Sequence, residues 1–140
     1  MKILVVLIGF VLGGAALTGT ALALNQTRSG ATTKLTIQHV QKGCHVFAIG
    51  SRQSGSMHLS LKRGASLQIV DQDIDPQQLV QLAGPRLGYA GHMMIGQHQT
   101  ILFKNPGLYR FKNRVIDMGP MMNVKTIGPD NVLRLTVTVS

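Results

Sequence analysis

The chain has 140 residues and a mass of 15.1 kDa, which allows one domain of ordinary size. It carries 14 Lys+Arg against five Asp and no Glu, a formal charge of +9, with 44% hydrophobic and only 14% charged residues. These figures exclude a coiled coil, a collagen and a charged disordered tail, and a single cysteine excludes an internal disulfide framework or a multi-cysteine zinc site.

Lys2 precedes an uncharged stretch from Ile3 to Leu24 that is rich in Leu, Val, Ile, Gly and Ala and ends on Ala21 and Ala23. A charged start, an apolar run and a small-x-small close predict a secretory signal peptide, residues 1–23, cleaved near Ala23. The run is about 20 residues long, so an uncleaved form would be a membrane anchor. No cysteine stands at the junction to take a lipid. A secreted, periplasmic or cell-envelope location is expected. Loss of Lys2 with the leader lowers the charge from +9 to +8. Such a charge favours an anionic envelope surface, an envelope polymer or an acidic protein as partner. The Lys and Arg residues are spread singly, and no row of aromatics interleaves them, so nucleic acid is not an expected partner. A monomer is expected.

Residues 24–33 are small and polar and read as a short flexible segment. From Lys34 the chain alternates apolar and polar residues in short runs split by Gly, Pro, Asn and Asp. Leu35, Ile37 and His39 share one side of a first strand. Cys44 to Ile49 forms a second, between Gly43 and Gly50. Met57, Leu59 and Leu61 alternate with Ser56, His58 and Ser60, and Leu67 and Ile69 with Ser66 and Gln68. Asp71 to Gln78 interrupts the pattern and reads as a loop. Leu79 to Leu82 fits either a short strand or one helical turn. Thr100 to Phe103 and Leu108 to Lys112 are strands on either side of the Asn105-Pro106-Gly107 turn. Asn113 to Pro120 reads as a loop and Asn123 to Ile127 as a further strand. The last strand has Leu133, Leu135, Val137 and Val139 on one side, and its clean alternation places it inside a sheet. Seven or eight such strands with frequent turns predict an all-β antiparallel sandwich or small barrel over residues 34–140.

Four segments in this order carry a resemblance. They are Gly64-Ala65-Ser66-Leu67-Gln68-Ile69, the acidic Asp71-Gln72-Asp73, the run Phe103-Lys104-Asn105-Pro106-Gly107-Leu108-Tyr109-Arg110-Phe111, and Leu133 to Val139. Together they resemble the cupredoxin-like family of exported Greek-key β-sandwiches. The resemblance implies a blue copper site of two His, one Cys and often a Met. Where the first His would follow a Pro, Pro76 is followed by Gln77. Where the Cys would stand two residues beyond the second aromatic, Asn113 follows Phe111 and Lys112. Neither amide supplies the chemistry of a thiolate or an imidazole, so the blue site is expected to be absent. The resemblance also implies that Gln77, Asn113 and Met118 approach one another at one end of the sandwich.

Other residues offer soft or borderline donors. Cys44 and His45 are adjacent, and in a strand their side chains point to opposite faces. They read either as a small buried Cys beside a surface His, or, with a bend at Gly43, as two ligands of a Cu(I) ion. His92 with Met93 and Met94, and Met118 with Met121 and Met122, could add imidazole and thioether donors or fill irregular gaps in the core. The metal set expected is Cys44, His45, His92, Met118, Met121 and Met122, with copper as the cofactor. His39 reads as a hydrogen-bonded structural residue, while His58 and His98 read as solvated. Asp71, Asp73 and Asp75 have the alternate spacing that opens a calcium loop. Gln77, Leu79 and Leu82 do not continue it, so the three read as turn caps. No catalytic constellation stands out, and catalysis is not expected. The alternative to copper binding is a metal-free sandwich that binds a protein or an envelope polymer.

Overall fold

The computed structural model describes residues 30–40, 45–116 and 132–140. Ten strands are found there: β1 (Thr32–His39), β2 (His45–Ile49), β3 (Arg52–Ser54), β4 (Ser56–Leu61), β5 (Ser66–Gln72), β6 (Gln77–Ala83), β7 (His92–Met93), β8 (His98–Leu102), β9 (Gly107–Val115) and β10 (Val132–Val139). The predicted signal peptide, Cys44, Met118, Met121, Met122 and the predicted strand Asn123 to Ile127 lie outside the described residues.

The strands form two five-stranded sheets, in the orders β3-β2-β1-β5-β8 and β4-β10-β9-β6-β7. Their period-two alternation puts one face of each sheet inward. Leu35, Ile37, Phe47, Leu67, Ile69 and Ile101 from the first sheet meet Met57, Leu79, Tyr109, Phe111, Leu135 and Val137 from the second. The result is the all-β Greek-key sandwich expected from the sequence, with β10 paired on both sides as its alternation predicted. The chain changes sheet between β3 and β4 at Gly55, without a long connection.

Three expectations need correction. The sheets are mixed: β1 runs parallel to β5, and β10 parallel to β4. Alternation of side chains is the same in both directions, so local pattern carries no information on strand polarity. The loop predicted over Asp71–Gln78 is shorter than expected and the one predicted from Asn113 begins later, because β5 extends through Asp71, β6 starts at Gln77 and β9 continues to Val115. The inward positions there are polar, which hides the strand period from a reading based on apolar residues. The N-terminal segment also orders earlier than expected, since Thr32 and Thr33 already pair with Ser66 and Leu67.

Candidate metal centre

At one end of the sandwich the inward-facing positions turn from apolar to polar on five strands at once. Along β1 the inward series is Leu35, Ile37, His39. Along β5 it is Leu67, Ile69, Asp71, and along β9 it is Tyr109, Phe111, Asn113. β2 opens with inward-facing His45 and β6 with Gln77. The β5–β6 connection adds Asp73 and Asp75. Asp71, Asp73, Asp75, Gln77, Asn113 and His45 are all buried. Buried polar groups need internal partners, and these groups supply part of one another's need, leaving Asp71 Oδ2, Asp75 Oδ2, Asn113 Oδ1 and His45 Nε2 without one.

One chain of contacts crosses from sheet to sheet. Asn113 Nδ2 donates to Gln77 Oε1 at 2.8 Å, joining β9 to β6. Gln77 Nε2 donates to Asp73 Oδ2 at 3.1 Å and to the Asp75 carbonyl at 3.0 Å. Asp73 Oδ2 also meets Nδ1 of His45 on β2, in the opposite sheet. Local bonds fix the acidic loop as predicted for turn caps: the Asp73 N–H donates to Asp71 Oδ1 at 3.0 Å, and the Ile74 N–H to Asp73 Oδ1 at 2.7 Å. Asp71 is pushed up to about 7, chiefly by burial, with the charges of Asp73 and Asp75 adding to the rise. The N–H bond from Asp73 and the His45 charge oppose it.

His39 pairs with His45 across the β1–β2 hairpin, the ring centroids 5.6 Å apart and the planes at 70°. His39 Nδ1 stands 3.8 Å from Asp73 Oδ1. One donor atom each from His39, His45 and Asp73 lies within 4.8 Å of the other two. Two imidazole nitrogens, His39 Nδ1 and His45 Nε2, are buried without a hydrogen-bond partner. The Asp73 carboxylate engages Nδ1 of His45, so Nε2 is the ring nitrogen left without a partner.

The predicted site residues are distributed unevenly. His45 joins the cluster, and its burial corrects the reading that placed it on the surface: as the first residue of β2 it shares the inward side with Phe47. His92 does not join it. β7 pairs His92 with Gln78 and Met93 with Gln77, so Met93 is buried as a core filler while His92 is exposed on the outer face. Met94 is 47% exposed, and His58 and His98 are exposed as expected. Cys44 and the second methionine group lie outside the described residues. The sequence reading passed over His39 and Asp73 as ligands. Their signal was present in the hairpin symmetry of His39 and His45 and in the continuation of each apolar stripe into a polar residue two positions on. Gln77 and Asn113 do approach one another as the resemblance implied.

No protein-family model matches this sequence, and a search of curated proteins finds no match. Among solved structures, the chain is similar to a purple cupredoxin from Nitrosopumilus maritimus, at 16% identity and a TM-score of 0.47, over 77% of this chain and 99% of that one. It is similar to reduced rusticyanin at 10% identity and a TM-score of 0.42, over 80% and 81% of the two chains. A second rusticyanin structure, from Thiobacillus ferrooxidans, gives 14% identity and 0.42, over 80% and 79%. The fold is a two-sheet Greek-key β-sandwich. The blue copper group that the sequence resemblance implies does not fit here, because the Gln77 and Asn113 amides stand at its expected ligand positions and are engaged with each other. The donor set that does fit a metal is His39, His45 and Asp73, two nitrogens and an oxygen suited to copper(II) or zinc(II).

Proposed function

We propose that this is an exported cupredoxin-like binding protein that takes up one copper ion, or a comparable transition-metal ion, outside the blue-copper position. His39, His45 and Asp73 would hold it. The observation that carries the reading is the pair of buried imidazole nitrogens without partners, beside a buried carboxylate. A bound cation would give a buried imidazole nitrogen a partner and offset the negative charge of Asp73. Cys44, next to His45 in sequence, would add a soft donor and turn the preference toward Cu(I). Export is supported by the charge, apolarity and small-residue pattern of residues 1–23. Binding rather than catalysis is proposed.

The test is titration of the exported protein with Cu(II) and Zn(II) in air and with Cu(I) under anaerobic conditions. One equivalent is expected to bind, and His39→Ala and His45→Ala are each expected to weaken it at least tenfold. Cys44→Ser is expected to weaken Cu(I) selectively. Binding no tighter than that of the His39→Ala/His45→Ala double variant would overturn the proposal. It would favour the metal-free reading, which the closed Gln77–Asn113 bond supports.

A further inference from the structure

The outer faces of the two sheets differ in charge. On β9 the residues Tyr109, Phe111 and Asn113 point inward, so Arg110, Lys112 and Arg114 point outward. Residues two apart on a strand stand about 7 Å apart, so these three make a cationic row. Arg134 on β10 stands opposite Lys112 and widens the row. The rest of β10 and β4 on this face offers neutral Thr136, Thr138, Ser56 and Ser60, with His58 among them. On the other sheet the outward positions of β1 and β5 include one cation, Lys34, among residues such as Thr36, Gln38, Gln68 and Gln72. There Gln38 is bonded to both Gln72 and Gln53. Asp71, Asp73 and Asp75 are buried, and among the described residues no Lys or Arg has an ion-pair partner. Among the described residues no carboxylate neutralises the cationic row.

Apolar side chains lie beside these cations. Val80 stands opposite Lys112, and Leu108 is two residues from Arg110. Val80, Leu82 and Leu108 are 37%, 62% and 44% exposed. Next to them, an open hollow of about 480 Å³ between β6 and the 84–91 segment is lined by Val80, Leu82, Leu87 and Tyr89 together with Arg86 and His92.

We propose that this outer face of the β4-β10-β9-β6 sheet docks on an anionic phospholipid surface. Arg110, Lys112, Arg114 and Arg134 take the headgroup phosphates, and Val80, Leu82 and Leu108 enter the boundary below them. A hydrophilic polyanion would use the cations and leave the aliphatic side chains in water. A lipid interface uses both. The inference does not depend on the metal site, which lies inside the sandwich.

The experiment is co-sedimentation of the exported protein with vesicles of phosphatidylglycerol in phosphatidylcholine, and with phosphatidylcholine alone. Binding is expected to need phosphatidylglycerol and to weaken at high salt. Each cation near an anionic surface is worth about fivefold in partition, so Arg110→Ser/Arg134→Ser is expected to lose about 25-fold. Leu82→Ser is expected to weaken binding further. Lys34→Ser/Arg52→Ser removes the same charge from the other sheet and is expected to lose no more than about threefold. All variants share one N-terminus, so any contribution of residues 1–23 cancels between them. Equal losses in the two double variants would overturn the proposal. So would failure to bind phosphatidylglycerol vesicles, including the case where immobilised heparin or an acidic protein retains the chain.

Discussion

Asp71→Asn is expected to remove a large part of the protein's dependence of stability on pH. Asp71 is fully buried, and its Oδ2 has no hydrogen-bond partner. Its pKa rises from 3.8 to about 7 on folding, mainly because burial strips the carboxylate of water. The folded chain thus keeps a proton that the unfolded chain releases, and stability falls as pH rises. The contribution is complete below pH 3.8, declines between there and about 7, and is gone above it. Three pH units at 1.36 kcal/mol each amount to about 4 kcal/mol. Asparagine copies the shape of the protonated acid and keeps an oxygen for the Asp73 N–H. The assay is urea unfolding of both chains from pH 4 to 8, with a chelator present so that no metal enters. The two midpoints are expected to lie close together at pH 4. At pH 8 the variant is expected to be higher by at least about 1 M, given slopes of about 1–3 kcal/mol per molar urea. Titrations of groups that do not interact with Asp71 cancel in this difference. Parallel pH profiles for the two chains would refute the assignment of a raised pKa to Asp71.

Three further outcomes test the packing of the sandwich. Gly84→Ala is expected to cost about 3 kcal/mol or more, because φ is +101° and the added Cβ would stand 2.7 Å from the Leu108 carbonyl oxygen. Gly50→Ala, at φ +56° with nothing within 4 Å, is expected to cost only about 1 kcal/mol, so comparing their thermal midpoints separates steric clash from backbone strain. Tyr109→Phe removes the 2.6 Å bond from the hydroxyl to the Asn105 carbonyl but keeps the edge-to-face contact with Phe103. Chemical denaturation should find it weaker by about 1 kcal/mol. Leu135→Ala, in the middle of β10 and fully buried, should lose about 2–5 kcal/mol by the same measurement.

Much of the fold was legible because half of each strand is aliphatic or aromatic. The alternation of Leu133, Leu135, Val137 and Val139 located β10 and its inward face, and Met57, Leu67 and Ile69 did the same for β4 and β5. The reading failed where the inward residue was polar. Asp71, Gln77 and Asn113 continue their strands' inward series, yet each looks like a loop residue when only its neighbours are considered. Burial of such a group is tolerable only when a partner is present, and the partners here are remote in sequence. Asn113 and Gln77 are 36 residues apart, and His45 and Asp73 are 28 apart. The resemblance brought Gln77 and Asn113 together. It gave no hint that Asp73 and His45 would extend their contact into the other sheet.

The order of residues along the chain determined where strands form, which of their sides are apolar, and that two amides stand where copper ligands were expected. The first two follow from interactions within a few residues, and the third from the resemblance. Tertiary structure decided which strands run parallel, that the acidic loop turns inward, and that His39, His45 and Asp73 share one end of the core. It also decided that Arg110, Lys112, Arg114 and Arg134 gather on one outer face. Those outcomes depend on how the two sheets close over each other, because closure alone sets which distant polar groups lose water together and must find partners in one another.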